Sequence, residues 1–136
     1  MKKIHVFMLS VIASVALLTA CGHQSMESAV AEASRECPMY IDEYTTVTNI
    51  QLEGHDIVYV CSVNEYLLGM EVTIFQNPEV ISAMKQEVLK ALRTNPDPSV
   101  KDLVRMCKKD NYNIVYRYVG SSSYAIVEVR VLPDEL

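Results

Sequence analysis

Apolar and polar residues alternate over Thr46–Glu53 and again over Ile57–Val63, with Glu53-Gly54-His55-Asp56 between them. A period of two interrupted by a Gly-containing polar cluster predicts a pair of strands joined by a tight turn. Pairing across that turn puts Ile50 and Leu52 on one face with Ile57, Tyr59, Cys61 and Val63, and leaves Asn49, Gln51 and Glu53 on a wetter face. Met70–Phe75 alternates in the same way and predicts a third strand. The period then changes. Asn77-Pro78-Glu79 offers a capping side chain, a proline at the first helical position and an acid in the first turn. Val80, Ile81, Met84, Val88, Leu89 and Leu92 follow at helical spacing. Thr94-Asn95-Pro96-Asp97-Pro98 ends that helix and caps another, on which Val100, Leu103, Val104 and Cys107 form an apolar stripe closed by Lys108 and Lys109. Two final strands, Asn113–Val119 and Tyr124–Leu132, flank Gly120-Ser121-Ser122-Ser123, and Pro133 stops the last. The order β-β-β-α-α-β-β predicts an α+β fold, an antiparallel sheet of about five strands with two helices on one face.

The front of the chain has a different pattern. Lys2 and Lys3 precede a nearly unbroken apolar run from Ile4 to Leu18, followed by Thr19-Ala20-Cys21. A basic start, a short apolar stretch and small residues before a cut describe a secretory signal, shorter than the roughly 20 residues of a membrane span. Leu18-Thr19-Ala20-Cys21 resembles the lipobox of bacterial lipoproteins. The resemblance implies cleavage before Cys21, a diacylglycerol on its sulfur and acylation of the new amino group. Several acyl chains hold a protein firmly on a bilayer where one does not. In enterobacterial members of the family, Gly22 after the cysteine reads as an outer-membrane address, facing the periplasm. The expected organisation is a signal peptide over 1–20, a lipidated N-terminus and small polar tether over 21–36, and one α+β domain over 37–136.

Charge narrows the partners. The chain carries 17 acidic against 12 basic residues, a net charge of −5, and loses Lys2 and Lys3 with the signal. An acidic surface repels phosphate backbones, so nucleic-acid binding is not expected. Beyond Cys21 stand Cys37, Cys61 and Cys107. An odd count in an exported protein suggests one disulfide and one leftover thiol. Cys61 and Cys107 both point to the core by periodicity and could pair. Cys37 follows the polar tether and would be exposed if unpaired, which favours Cys37–Cys107, with Cys61 left as a small buried hydrophobe. No C-x-x-C spacing, G-x-S-x-G, H-E-x-x-H or phosphate-binding loop is present in the sequence. His23 falls in the tether and His55 in a turn beside Asp56, a poor arrangement for a base and its orienting group. Neither a catalytic site, a cofactor nor a metal is expected.

The last hairpin supplies the candidate surface. If Tyr118 pairs with Tyr124, then Tyr112, Ile114, Tyr116 and Tyr118 share a face with Tyr124, Ile126, Glu128 and Arg130. Val115 and Val119 with Ala125, Val127, Val129 and Val131 would make the opposite, core face. A tyrosine stripe edged by Glu128 and Arg130 offers amphipathic contact area of the kind enriched at interfaces. The expected protein is therefore a membrane-anchored periplasmic lipoprotein with a non-catalytic binding domain, similar in its general features to small Gram-negative envelope lipoproteins, with an envelope protein or glycan as partner. An inhibitor or immunity-type protein, or an envelope hydrolase whose site assembles only in three dimensions, are the alternatives.

Overall fold

A computed structural model describes residues 25–41, 43–64, 66, 75–120 and 124–136. The signal segment, Cys21, positions 70–74 of the predicted third strand and Ser121–Ser123 lie outside the described residues. Among the described residues the fold is α+β, a five-stranded, mostly antiparallel sheet with three helices. The chain runs α1 (Met26–Arg35), β1 (Met39–Tyr40), β2 (Thr45–Glu53), β3 (Asp56–Val63), α2 (Pro78–Thr94), α3 (Pro98–Asp110), β4 (Asn113–Val119) and β5 (Ala125–Val131), then a 3-10 turn over Pro133–Glu135. The strands lie in the order β1-β2-β3-β4-β5.

The first hairpin forms in the expected register, with Ile50 opposite Tyr59 and Leu52 opposite Ile57. Gly54 takes a left-handed conformation, φ +62°, to turn the chain. The helices start at their predicted caps: Asn77 Oδ1 accepts from the Glu79 amide at 2.9 Å, and Asp97 Oδ1 from the Ser99 amide at 2.9 Å. β3 and β4, in contrast, pair in parallel, from Asp56 opposite Asn113 to Ser62 opposite Val119. Parallel neighbours need a long crossover connection, and here α2 and α3 lie in it.

One expectation is corrected. The stretch read as a polar tether contains α1, whose Met26, Ala29, Val30 and Ala33 are buried at helical spacing. Ser25 caps it, its hydroxyl oxygen accepting from the Ser28 amide, and the alanines let the helix pack closely on β2. The domain thus begins inside the expected tether. Among the described residues a strand beyond those expected is β1, two residues long, paired with β2 through Met39–Val47 and Tyr40–Thr46.

One core cluster joins Met26, Ala29, Val30 and Ala33 of α1 and the apolar stripes of α2 and α3 to the inner sheet face. That face consists of Val47 and Ile50, then Ile57, Tyr59, Cys61 and Val63, then Ile114, Tyr116 and Tyr118, and finally Val127, Val129 and Val131. Tyr59 and Tyr116 stack at its centre, ring centroids 4.9 Å apart and planes 18° from parallel.

Candidate functional site

The expected tyrosine stripe does not exist as a surface. Tyr116 and Tyr118 are buried to 0% and 1% exposure. The cause is register: Tyr118 pairs with Val127 and Tyr116 with Val129, not in the frame set by Tyr118–Tyr124, and a bulge separates Tyr118 from Val119. An odd displacement moves a whole strand's side chains to the other face. It sends Tyr116 and Tyr118 inward with Val127 and Val129, and leaves Glu128 and Arg130 outside. Tyr112 sits half-buried before β4, against the ring of the exposed His55 at 5.4 Å. Its hydroxyl is held by Glu27 of α1. Tyr124 is half exposed, at the start of β5, and its ring lies across Gly120. The six residues proposed from sequence are thus split among the core, the two ends of the sheet and its outer face.

The thiols are corrected too. Cys37, Cys61 and Cys107 are all free, with no disulfide between them. Packing of α1 half-buries Cys37, which removes the exposure that favoured pairing it; its thiol donates to the Ala33 carbonyl at 3.8 Å. Burial pushes the thiols of Cys61 and Cys107 up to about 12. Burial and the neighbouring Glu36 charge raise that of Cys37. A thiol reacts as its thiolate, so none of the three is poised as a nucleophile. Among the described residues no group of three or more His, Cys, Asp or Glu could hold a metal, and no helix is long and apolar enough to cross a membrane.

The outer face of the sheet has two zones. The lower one is a lattice of charges. Arg117 grips Glu53 with both terminal nitrogens, at 2.8 and 2.9 Å, and donates from Nε to Glu128 at 3.0 Å. Arg130 reaches Asp56 at 2.7 Å and Glu128 at 3.3 Å. Polar side chains extend the lattice at both ends. Asn113 donates to Asp56, Gln51 to Glu53, Asn49 to Gln51, and Ser34 of α1 to Asn49. The Arg117 fork holds the Glu53 carboxyl down at about 2. Burial opposes ionisation of Asp56, yet its bonds from Arg130 and Asn113 keep it below its ordinary value. Val58 and Val115 form the fully buried floor between these groups. With Arg117 and Arg130 both paired to carboxylates, this zone covers the outer face of the sheet rather than offering free charge.

The upper zone is open. At the top of β1, β2 and β3, Tyr40, Glu43, Tyr44, Thr46, Ser62, Val63, Asn64 and Tyr66 line a cleft of about 380 Å³. Tyr40 and Tyr66 are 86% and 81% exposed, the most exposed large hydrophobic side chains among the described residues. Because Tyr40 pairs with Thr46 and Thr46 with Ser62, the three side chains share the outer face. Sequence reasoning missed this cleft. Its signal was aromatic mass outside the long strands: Tyr40 and Tyr44 around Asp42-Glu43, and Tyr66 after Glu65.

No protein-family model matches the chain, and no curated protein matches its sequence. Solved structures share its fold. A Pseudomonas aeruginosa protein assigned as secreted superposes with a TM-score of 0.56 at 16% identity, covering 80% of this chain and 87% of its own. EpsS, the pilotin of the Vibrio vulnificus type 2 secretion system, gives 0.56 at 14% identity, covering 80% and 86%. AspS, a type II secretion system pilotin of Vibrio cholerae, gives 0.54 at 8%, covering 81% and 87%. At such identities the likeness establishes the fold.

Proposed function

We propose that this chain is a pilotin-like envelope lipoprotein: a non-catalytic α+β domain, lipid-anchored through Cys21 on the periplasmic side of the outer membrane, that binds an envelope protein of the secretin type. The observation that carries the reading is the shared fold with two secretion pilotins over four-fifths of the chain, joined to a lipobox-like Leu18-Thr19-Ala20-Cys21 at its front. The buried thiols of Cys61 and Cys107 and the self-paired charge lattice fit a binding scaffold.

The test is made in the native host with the full chain and a Cys21→Ser variant. The wild type is expected in the outer-membrane fraction, with secretin subunits co-purifying after crosslinking. Cys21→Ser is expected in the soluble fraction, with secretin multimers depleted from the outer membrane. A Cys21→Ser protein that stays on the membrane sinks the anchor. Unchanged secretin multimers in a strain lacking the chain sink the pilotin-like role.

A further inference from the structure

Under the lipid-anchor reading above, the placement of α1 decides which end of the domain faces the bilayer. α1 begins at Met26, capped by Ser25, a few residues after Cys21. Its first turn lies at the lower end of the sheet, because Glu27 holds the hydroxyl of Tyr112, directly before β4. α1 then runs toward the other end, where its C-terminus feeds β1 and Tyr40 pairs with Thr46. The aromatic cleft stands at that upper end, separated from the start of α1 by most of the length of β2, roughly 20 Å at the rise of an extended strand. An anchor at Cys21 therefore holds the lower end at the lipid and turns the cleft toward the periplasm.

We propose that the Tyr40–Tyr44–Tyr66 cleft is the docking site for a Lys- or Arg-bearing peptide segment of the partner protein, a proposal that rests on the pilotin-like reading above. Three observations select this occupant. First, the cleft points away from the anchored bilayer, which disfavours a lipid headgroup. Second, Glu43 is the charged residue among the described side chains that line it, and none of them is basic, so a positive charge is the complementary one. Third, tyrosine rings attract a guanidinium or ammonium through their faces and cover its aliphatic stem. Thr46, Ser62 and Asn64 add hydroxyl and amide groups on the same wall. Tyrosine and arginine are among the residue types enriched at interface hot spots. The charge lattice below does not compete, because Arg117 and Arg130 already satisfy Glu53, Asp56 and Glu128.

The experiment uses the full-length lipidated chain in its native host, with a photocrosslinking benzoyl-phenylalanine placed singly at Tyr40, Tyr66, Tyr124 or Arg130. Crosslinked peptides are identified by mass spectrometry. The proposal expects adducts from positions 40 and 66 on one envelope protein, mapping to a segment that contains Lys or Arg. It also expects that Tyr40→Ala with Tyr66→Ala weakens binding of a synthetic peptide of that segment by about tenfold or more. Glu43→Gln is expected to reduce the salt dependence of that binding, a readout that loss of apolar contact alone does not move. Because both tyrosines are largely exposed, the double variant retains the fold. Adducts from Tyr124 or Arg130 alone overturn the cleft while keeping a protein partner. Adducts from 40 and 66 to lipid, or to a segment without basic residues, overturn the occupant. Adducts from no position overturn both this proposal and the pilotin-like reading.

Discussion

Replacing Tyr116 by Ser discriminates sharply between an inner and an outer tyrosine stripe. Tyr116 is completely buried and stacked on Tyr59. A buried tyrosine removes about 150–250 Å² from water, worth roughly 4–6 kcal/mol at ~25 cal/mol per Å². The stacked pair adds about 0.5–1.5 kcal/mol, while partial collapse of the neighbours around the smaller side chain recovers part of the total. Measured aromatic truncations in cores cost about 3–5 kcal/mol, so about 4 kcal/mol is the expected loss. With a urea slope of ~2 kcal/mol/M for a domain of this size, the unfolding midpoint falls by about 2 M. The assay is urea unfolding followed by far-UV circular dichroism, with Tyr40→Ser as the matched control. Tyr40 is 86% exposed, and surface changes of that kind stay within about 0.5 kcal/mol. A midpoint shift below about 0.5 M for Tyr116→Ser, or an equal loss for Tyr40→Ser, would refute the assignment of inner and outer faces.

Two further predictions concern the charge lattice and the first turn. The Glu53 carboxyl, held at about 2 against an ordinary 4.5, contributes stability above its ordinary value that is lost as the pH falls from about 4.5 toward 2. Since the pair is largely solvent-exposed, the loss is about 1 kcal/mol or less. The urea midpoint should fall further between pH 7 and pH 2.5 in the wild type than in Arg117→Gln; equal falls in the two proteins would show that the fork contributes nothing. Gly54→Ala places a side chain at φ +62° with open space around it, so the cost is conformational, about 1 kcal/mol, and unchanged thermal stability would contradict the left-handed turn.

Local chemistry was legible where it was strong. The caps Asn77 and Asp97, each followed by a proline, mark the helix starts without tertiary help. The first hairpin has one wet face, so Asn49, Gln51 and Glu53 set its register. The last hairpin lacked that contrast. Its two strands carry apolar residues on both faces, such as Val115 beside Tyr116 and Ile126 beside Val127, so alternation alone could not choose between registers a bulge apart. α1 was hidden by composition. Met26, Ala29, Val30 and Ala33 stand at helical spacing, but small residues among Ser and Glu resemble a linker until β2 supplies a surface to bury them. The disulfide expectation rests on the same reading, since Cys37 is exposed only if the segment before it is a tether, and α1 half-buries it. The cleft depends on Tyr40, Tyr44 and Tyr66 meeting across a strand pair and two loops, a proximity no spacing rule encodes.

One topological choice accounts for both the hidden register and the exposed site. β3 and β4 are the central strands, and each reads as a nearly continuous apolar run: Ile57-Val58-Tyr59-Val60-Cys61 and Ile114-Val115-Tyr116. Such runs belong to parallel strands buried on both faces, and Val58 and Val115 are fully buried on the outer side as completely as Tyr59 and Tyr116 on the inner. A parallel pair obliges the chain to return from the end of β3 to the start of β4, and α2 and α3 make that return over the inner face. Among the described residues the outer face is then finished by side chains of the sheet itself, arginine–carboxylate pairs over its lower half and tyrosines around its upper corner. A substitution that frees the lower half, such as Arg117→Gln, should therefore alter acid stability without altering peptide capture, whereas Tyr40→Ala with Tyr66→Ala should do the reverse. If both variants changed both properties, the two zones would be one coupled surface, and the separation of scaffold from site would fail.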